Sequence, residues 1–226
     1  MGWSKVLWAG VVAAGMASGA FASPTCSTTT NLGSSGMVTK ASVTAGACFQ
    51  VDNVVYGNFA ISTLPATTVL FFNTNMVGGI DHIQLSFGST WHNGTTYHWS
   101  YELAIATGAP LGTIITGLDA DFDQTVGGAS VLDKATNPAS DTPIHMVKNG
   151  ATLQAGSITG TTFGAGITDL TIAEKLKDRG TIANVTNTVS VYNPPQNPPI
   201  PEPATLMLFG AGLAGLGSLR RRWKKA

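Results

Sequence analysis

Asp119, Asp121 and Asp123 stand at alternate positions of the chain, the spacing of the first three oxygen ligands in a calcium-binding loop. Gln124 occupies the place of that loop's turn glycine and Ser130 that of its closing glutamate, so the template is incomplete. On a strand the same carboxylates would line one solvated face. Both arrangements are open on the sequence, and the three acids are its metal candidates. His82, His92, His98 and His145 are the other groups that could ligate, but a zinc site needs three or four donors converging on one point. Cys26 and Cys48 are the only cysteines. Neither lies in a C-x-x-C or beside a histidine, so a disulfide is expected rather than redox or nucleophilic chemistry. No G-x-S-x-G or H-E-x-x-H is present. The expectation is therefore no catalytic residue, no cofactor and no enzyme.

The elements that must position these groups read as strands. From residue 47 to 192 the chain is a succession of short runs rich in Val, Ile, Thr, Phe and Tyr, broken by Gly, Asn, Asp and Pro. Only residues 173–179 hold a helical period, enough for two turns. Strands are expected at 49–56, 66–73, 80–88, 96–106, 113–118, 129–132, 144–148, 151–158, 167–172 and 182–192. The fold class is thus all-β, with a β-sandwich as its architecture. Two hairpins can be placed in register. A two-residue Asn149-Gly150 loop pairs Lys148 with Ala151, Met146 with Leu153 and Ile144 with Ala155. A three-residue loop, His92-Asn93-Gly94, pairs Phe87 with Trp99, Leu85 with Tyr101 and Ile83 with Leu103. In that register His82, His92 and His98 share a polar face with Gln84, Ser86, Ser100 and Glu102, but His82 and His98 lie too far apart for one metal. His145 stands alone.

Charge narrows the partners. All twelve acids lie between Ser23 and Pro203, while six of the twelve bases lie outside that stretch, leaving the interior with six more acids than bases. An acidic domain excludes nucleic acid as partner, which needs a basic face. The roughly 170 residues before the Pro-rich linker suffice for one domain with a substantial core.

Both ends are addresses. Lys5, an apolar stretch at 6–17 and then Ala20-Phe21-Ala22 form a secretory signal peptide, with cleavage by signal peptidase after Ala22. At the other end Pro201-Glu202-Pro203 precedes sixteen uncharged residues, 204–219, and then Arg220, Arg221, Arg222, Trp223, Lys224 and Lys225. As a helix the uncharged run would be about 24 Å long, slightly short of a hydrocarbon core of about 30 Å. The basic cluster after it is a stop signal retained on the cytoplasmic side, which leaves the rest of the chain outside. Pro201 and Pro203 cannot sit inside a helix and hold Glu202 on an extended stretch before it. Gly210-Ala211-Gly212-Leu213-Ala214-Gly215 matches a dinucleotide-binding pattern, but no strand precedes it, and small residues in an apolar helix permit close helix approach instead.

This tail resembles the PEP-CTERM sorting signal of Gram-negative bacterial exported proteins. The match is carried by Pro201, Glu202 and Pro203, the Gly-rich apolar run and the Arg-rich end, with Ile200 where the family usually has Val; it covers about a tenth of the chain. The resemblance implies recognition and removal of the tail by an exosortase, a multi-pass membrane cysteine transpeptidase. A plain tail anchor would share the apolar run and basic flank but needs no Pro-Glu-Pro.

The organisation expected is a signal peptide at 1–22, an all-β ectodomain at 23–193, a Pro-rich linker at 194–203, a transmembrane sorting helix at 204–219 and a basic cytoplasmic tail at 220–226. The protein should be exported, held transiently at the inner membrane, then passed to the envelope, outer surface or extracellular matrix. The favoured role is a non-enzymatic envelope or biofilm-matrix component, with exopolysaccharide as a possible partner. The alternative is an exported carbohydrate-active hydrolase or lectin-like binding module.

Overall fold

Apolar side chains at every second position decide where the strands lie and which way they face. The computed structural model describes residues 23–195 apart from Asp141. In chain order the strands are β1 (Thr28–Asn31), β2 (Ser35–Thr39), β3 (Ala47–Val51), β4 (Val54–Ala60), β5 (Val69–Val77), β6 (Ile80–Gly88) and β7 (Thr96–Ile105), followed by β8 (Ile114–Gly127), β9 (Ala129–Asn137), β10 (Ile144–Asn149), β11 (Thr152–Leu153), β12 (Gly160–Ile167), β13 (Asp169–Lys177) and β14 (Gly180–Tyr192). They form two sheets, one of eight strands in the order β1-β3-β4-β7-β13-β9-β10-β11 and one of six in the order β12-β8-β14-β6-β5-β2. The all-β expectation holds.

Ile83, Leu85 and Phe87 of β6 face inward, as do Val185, Val189 and Val191 of β14. Opposite them lie Tyr97, Trp99, Tyr101 and Leu103 of β7 and Leu170, Ile172 and Leu176 of β13. Aromatic rings join the two layers: Phe87 sits 5.6 Å from Trp99 and 5.9 Å from Tyr101, and Phe72 of β5 meets Tyr56 of β4 edge-on at 5.3 Å. Such pairs add about 0.5–1.5 kcal/mol each beyond their area burial.

Several local expectations are corrected. Residues 49–56 are not one strand, because Asp52, at φ 50°, turns the chain between β3 and β4. Residues 173–179 are not helical, since β13 runs through to Lys177 between β7 and β9. β6 and β7 do not form a hairpin; they belong to different sheets. Phe87 and Trp99, expected to pair side by side, instead meet face to face across the core, because both arrangements bury the same alternate set. The β10–β11 register is shifted by two residues: Lys148 pairs with Leu153 and Asn149 with Thr152, so the loop is Gly150-Ala151. Gly150, at φ 58°, then takes the first loop position, where a type II′ turn demands a left-handed residue.

Cys26 and Cys48 are joined by a disulfide. The segment between them contributes an edge strand to each sheet. β1 runs parallel to β3, and β2 runs antiparallel to β5. β1 is exposed throughout, so the neighbouring covalent bond holds an edge that burial does not. The expected signal peptide, sorting helix and basic tail lie outside the described residues.

Candidate functional site

Asp119, Asp121 and Asp123 sit in the middle of β8, alternating with buried Leu118, Ala120, Phe122 and Gln124. The long inward run places all three on the outer face of the six-stranded sheet. There the register builds rows across three strands. Ser86 of β6 pairs with Thr186 of β14, which pairs with Asp121; Gln84 pairs with Thr188, which pairs with Asp119. The hydroxyls of Ser86 and Thr186 lie 3.0 Å apart, and in the next row the Ser190 hydroxyl lies 3.2 Å from His82 Nδ1. Rows along a strand are about 7 Å apart and strands about 4.8 Å apart. The result is a polar lattice bounding a groove of about 420 Å³, lined by hydroxyls, amides and the three carboxylates. A second groove of about 510 Å³ adjoins it across Asp119, lined by Thr116, Thr142, Thr161, Thr162 and Ser190 among others.

Each acid has its own environment. Partial desolvation pushes the Asp119 carboxyl above its ordinary value, against the opposing pull of His82. Its carboxylate lies against the backbone of Gly160, where an added Cβ would stand 2.0 Å from Oδ1; only glycine leaves that space. Asp121 accepts from Lys148 Nζ, which also donates to the Phe122 carbonyl at 2.7 Å and lies over the Phe122 ring. Asn184 Nδ2 donates to Asp123 at 3.5 Å. Carboxylates about 7 Å apart along one strand do not close on an ion that binds its oxygens at about 2.3–2.6 Å. Among the described residues no three His, Cys, Asp or Glu side chains gather around one point. The solvated face, not a calcium loop, is the arrangement observed.

The histidines are dispersed. His82 is on the outer face of the six-stranded sheet and His98 on that of the eight-stranded sheet, where Thr63 bonds both its N–H and its carbonyl. His92 lies in the connection between the sheets, its backbone N–H donating to the Tyr97 hydroxyl at 2.9 Å. His145 does not stand alone: Nδ1 is 2.6 Å from Asp133 Oδ1 on the neighbouring strand.

A second polar cluster, which the sequence reading passed over, lies inside the sandwich. Lys134 of β9 and Glu174 of β13 are cross-strand neighbours, both pointing into the core, with Nζ 2.9 Å from Oε2. From the facing sheet, Asn187 Nδ2 donates to Glu174 Oε1 at 2.8 Å. All three are buried. Asn187 Oδ1 has no hydrogen-bond partner among the described residues, and Lys134 and Glu174 form an ion pair. Burial pushes the Lys134 amine below its ordinary value, with Glu174 opposing. It pushes the Tyr101 hydroxyl well above its own, and the Glu174 charge adds to that. The signal was present in the sequence: Lys134 and Glu174 occupy the apolar phase of their strands, two residues from Leu132 and from Ile172 and Leu176.

The sorting residues Pro201, Glu202 and Pro203, the stop signal Arg220, Arg221, Arg222, Lys224 and Lys225, and the cleavage-site residues Ala20 and Ala22 lie outside the described residues. The family model of the PEP-CTERM protein-sorting motif matches residues 199–222. No curated protein matches the chain. Among solved structures, the Drosophila melanogaster CENP-C cumin domain is similar at 11% identity over 52% of this chain and 72% of that one, with a TM-score of 0.18, too low to bear on fold or function. The chain carries a PEP-CTERM sorting motif and is, as that motif implies, an exported, surface-sorted protein.

Proposed function

We propose that this chain is a non-enzymatic component of the envelope or biofilm matrix, delivered by its PEP-CTERM tail and associating there with exopolysaccharide. The sorting motif at residues 199–222 carries the reading. In it, signal peptidase releases the leader after Ala22, the apolar run at 204–219 holds the chain in the inner membrane, and an exosortase-type transpeptidase acts at Pro201-Glu202-Pro203. Gln84, Ser86, Asn184, Thr186 and Thr188 with the three acids offer donors and acceptors at spacings suited to the hydroxyls of a sugar chain, and their excess of carboxylates disfavours an anionic one.

One observation favours the alternative, a carbohydrate-active hydrolase. Glycosidases use two carboxyls about 5–9.5 Å apart, one with a raised pKa, and Asp119, raised, neighbours Asp121 in one groove. Lys148 occupies Asp121, which leaves that carboxylate poorly placed to activate water. A glycan array and a hydrolysis screen on the secreted protein separate the two. Retention of a neutral polysaccharide without turnover is expected; turnover abolished by Asp119→Asn would overturn the non-enzymatic reading.

A further inference from the structure

Lys134, Glu174 and Asn187 bring an amine, a carboxyl and a carboxamide together where water is excluded. We propose that Lys134 Nζ and Asn187 Cγ become joined in an intramolecular isopeptide bond, with Glu174 as the catalytic residue, so that the two sheets are covalently linked.

Each reacting part is present in the cluster. The nucleophile is a lysine amine on β9 and the electrophile an asparagine side-chain amide on β14, on facing sheets. Glu174 touches both, Oε2 toward the amine and Oε1 toward the amide nitrogen. Strand neighbours of the three include Ile144, Trp99, Leu85 and Ala120, all buried, so the reacting atoms sit in an apolar surround. The orphaned Asn187 Oδ1 marks a carboxamide that its non-covalent neighbours leave incompletely satisfied.

The balance closes within the cluster. In a low-dielectric interior the separated charges of an ammonium and a carboxylate are costly, and passing one proton from Lys134 to Glu174 leaves a neutral amine and a carboxylic acid. The depressed pKa of the Lys134 amine acts in the same direction. The amine lone pair forms the new bond to Asn187 Cγ. Glu174 delivers its proton to Nδ2 through Oε1 and takes the surplus proton from Nζ through Oε2. The Cγ–Nδ2 bond then breaks and ammonia leaves. One amine and one primary amide become one secondary amide and one ammonia; no oxidant or reductant takes part, and Glu174 ends as the acid. The dry surround also suppresses the competing attack of water on the carboxamide. The link would fasten β14, the last described strand before the sorting tail, to the opposite sheet.

The test is peptide mass mapping of the full chain, purified from the exported fraction, reduced, denatured and digested. Wild type should yield a branched species in which the Lys134 and Asn187 peptides are joined, lighter than their sum by one ammonia. Asn187→Ala and Glu174→Gln should yield both peptides free at full mass. Should either variant fail to accumulate, the wild-type digest decides alone. Recovery of the wild-type Lys134 and Asn187 peptides as separate, unmodified species would overturn the proposal, and persistence of the branched species in Glu174→Gln would remove Glu174 as its catalyst.

Discussion

Asp119 shows how a single side chain on an exposed sheet can oppose the fold that carries it. Its carboxyl is raised by desolvation, so the folded chain favours the protonated form. That contribution is complete at pH below the unfolded value and is lost as pH rises through the higher folded value. At neutral pH the ionised Asp119 therefore costs stability. Asp119→Asn should melt at a higher temperature than wild type near neutrality, with the difference shrinking as the pH falls through the carboxylate range; a variant that melts lower at neutral pH would contradict the desolvation account. Inside the core the charges act in the opposite sense. Glu174→Leu strands Lys134 without its counter-ion and should lose about 3–5 kcal/mol in chemical denaturation. Lys134→Met combined with Glu174→Leu should be more stable than Glu174→Leu alone, since the double variant buries no unpaired charge. Neither can carry the cross-link, so the comparison isolates the charge; equal losses would contradict it. These core residues were legible only in part. Lys134 and Glu174 break the apolar alternation at inward positions, and a charge there reads as a surface residue until the strand's partners are known.

At the scale of elements, period decided what could be read. β6 alternates cleanly from Ile83 to Phe87 and has the bounds expected for it. β13 does not, because Ala173, Glu174, Lys175 and Lys177 are good helix formers and its inward Glu174 disguises the period; pairing with strands on both sides overrides that local preference. The sequence predicts β8 only as far as Leu118, since acids at three alternate positions have the spacing of a cation-binding loop as well as of a solvated strand face. Strand partners were beyond reach for a different reason. β6 and β7 bury the same residues whether they pair edge to edge or pack face to face, and a sequence of alternating residues does not distinguish the two. The disulfide was readable from two cysteines in an exported chain, whereas the two edge strands it brackets were not, being short and, Val38 apart, exposed or half-exposed. Closing a loop of 22 residues corresponds to about 3 kcal/mol in the chain-entropy model. Replacing Cys26 and Cys48 together by Ala should lower unfolding stability by roughly that amount under oxidising conditions and leave no further effect of reductant. A variant as stable as wild type would show that β1 is held by other means.

The whole molecule divides its information unevenly. The sandwich carries the polar face proposed to bind a sugar chain, and the matched tail at residues 199–222 carries the sorting motif. In the reading proposed above, the determinant in that tail is the Pro-Glu-Pro element, whereas anchoring belongs to the apolar run and orientation to the basic cluster. Glu202→Ala should therefore still insert, yet accumulate as a longer, membrane-held form visible by fractionation and immunoblot. Deleting residues 220–225 should instead disturb insertion or orientation. The measurement closest to the central claim is the C-terminal sequence of the mature protein recovered from its native host. Processing at the sorting motif predicts a chain that has lost the apolar run and basic cluster and ends at or near Pro201-Glu202-Pro203; a mature chain that still ends at Ala226 would contradict it.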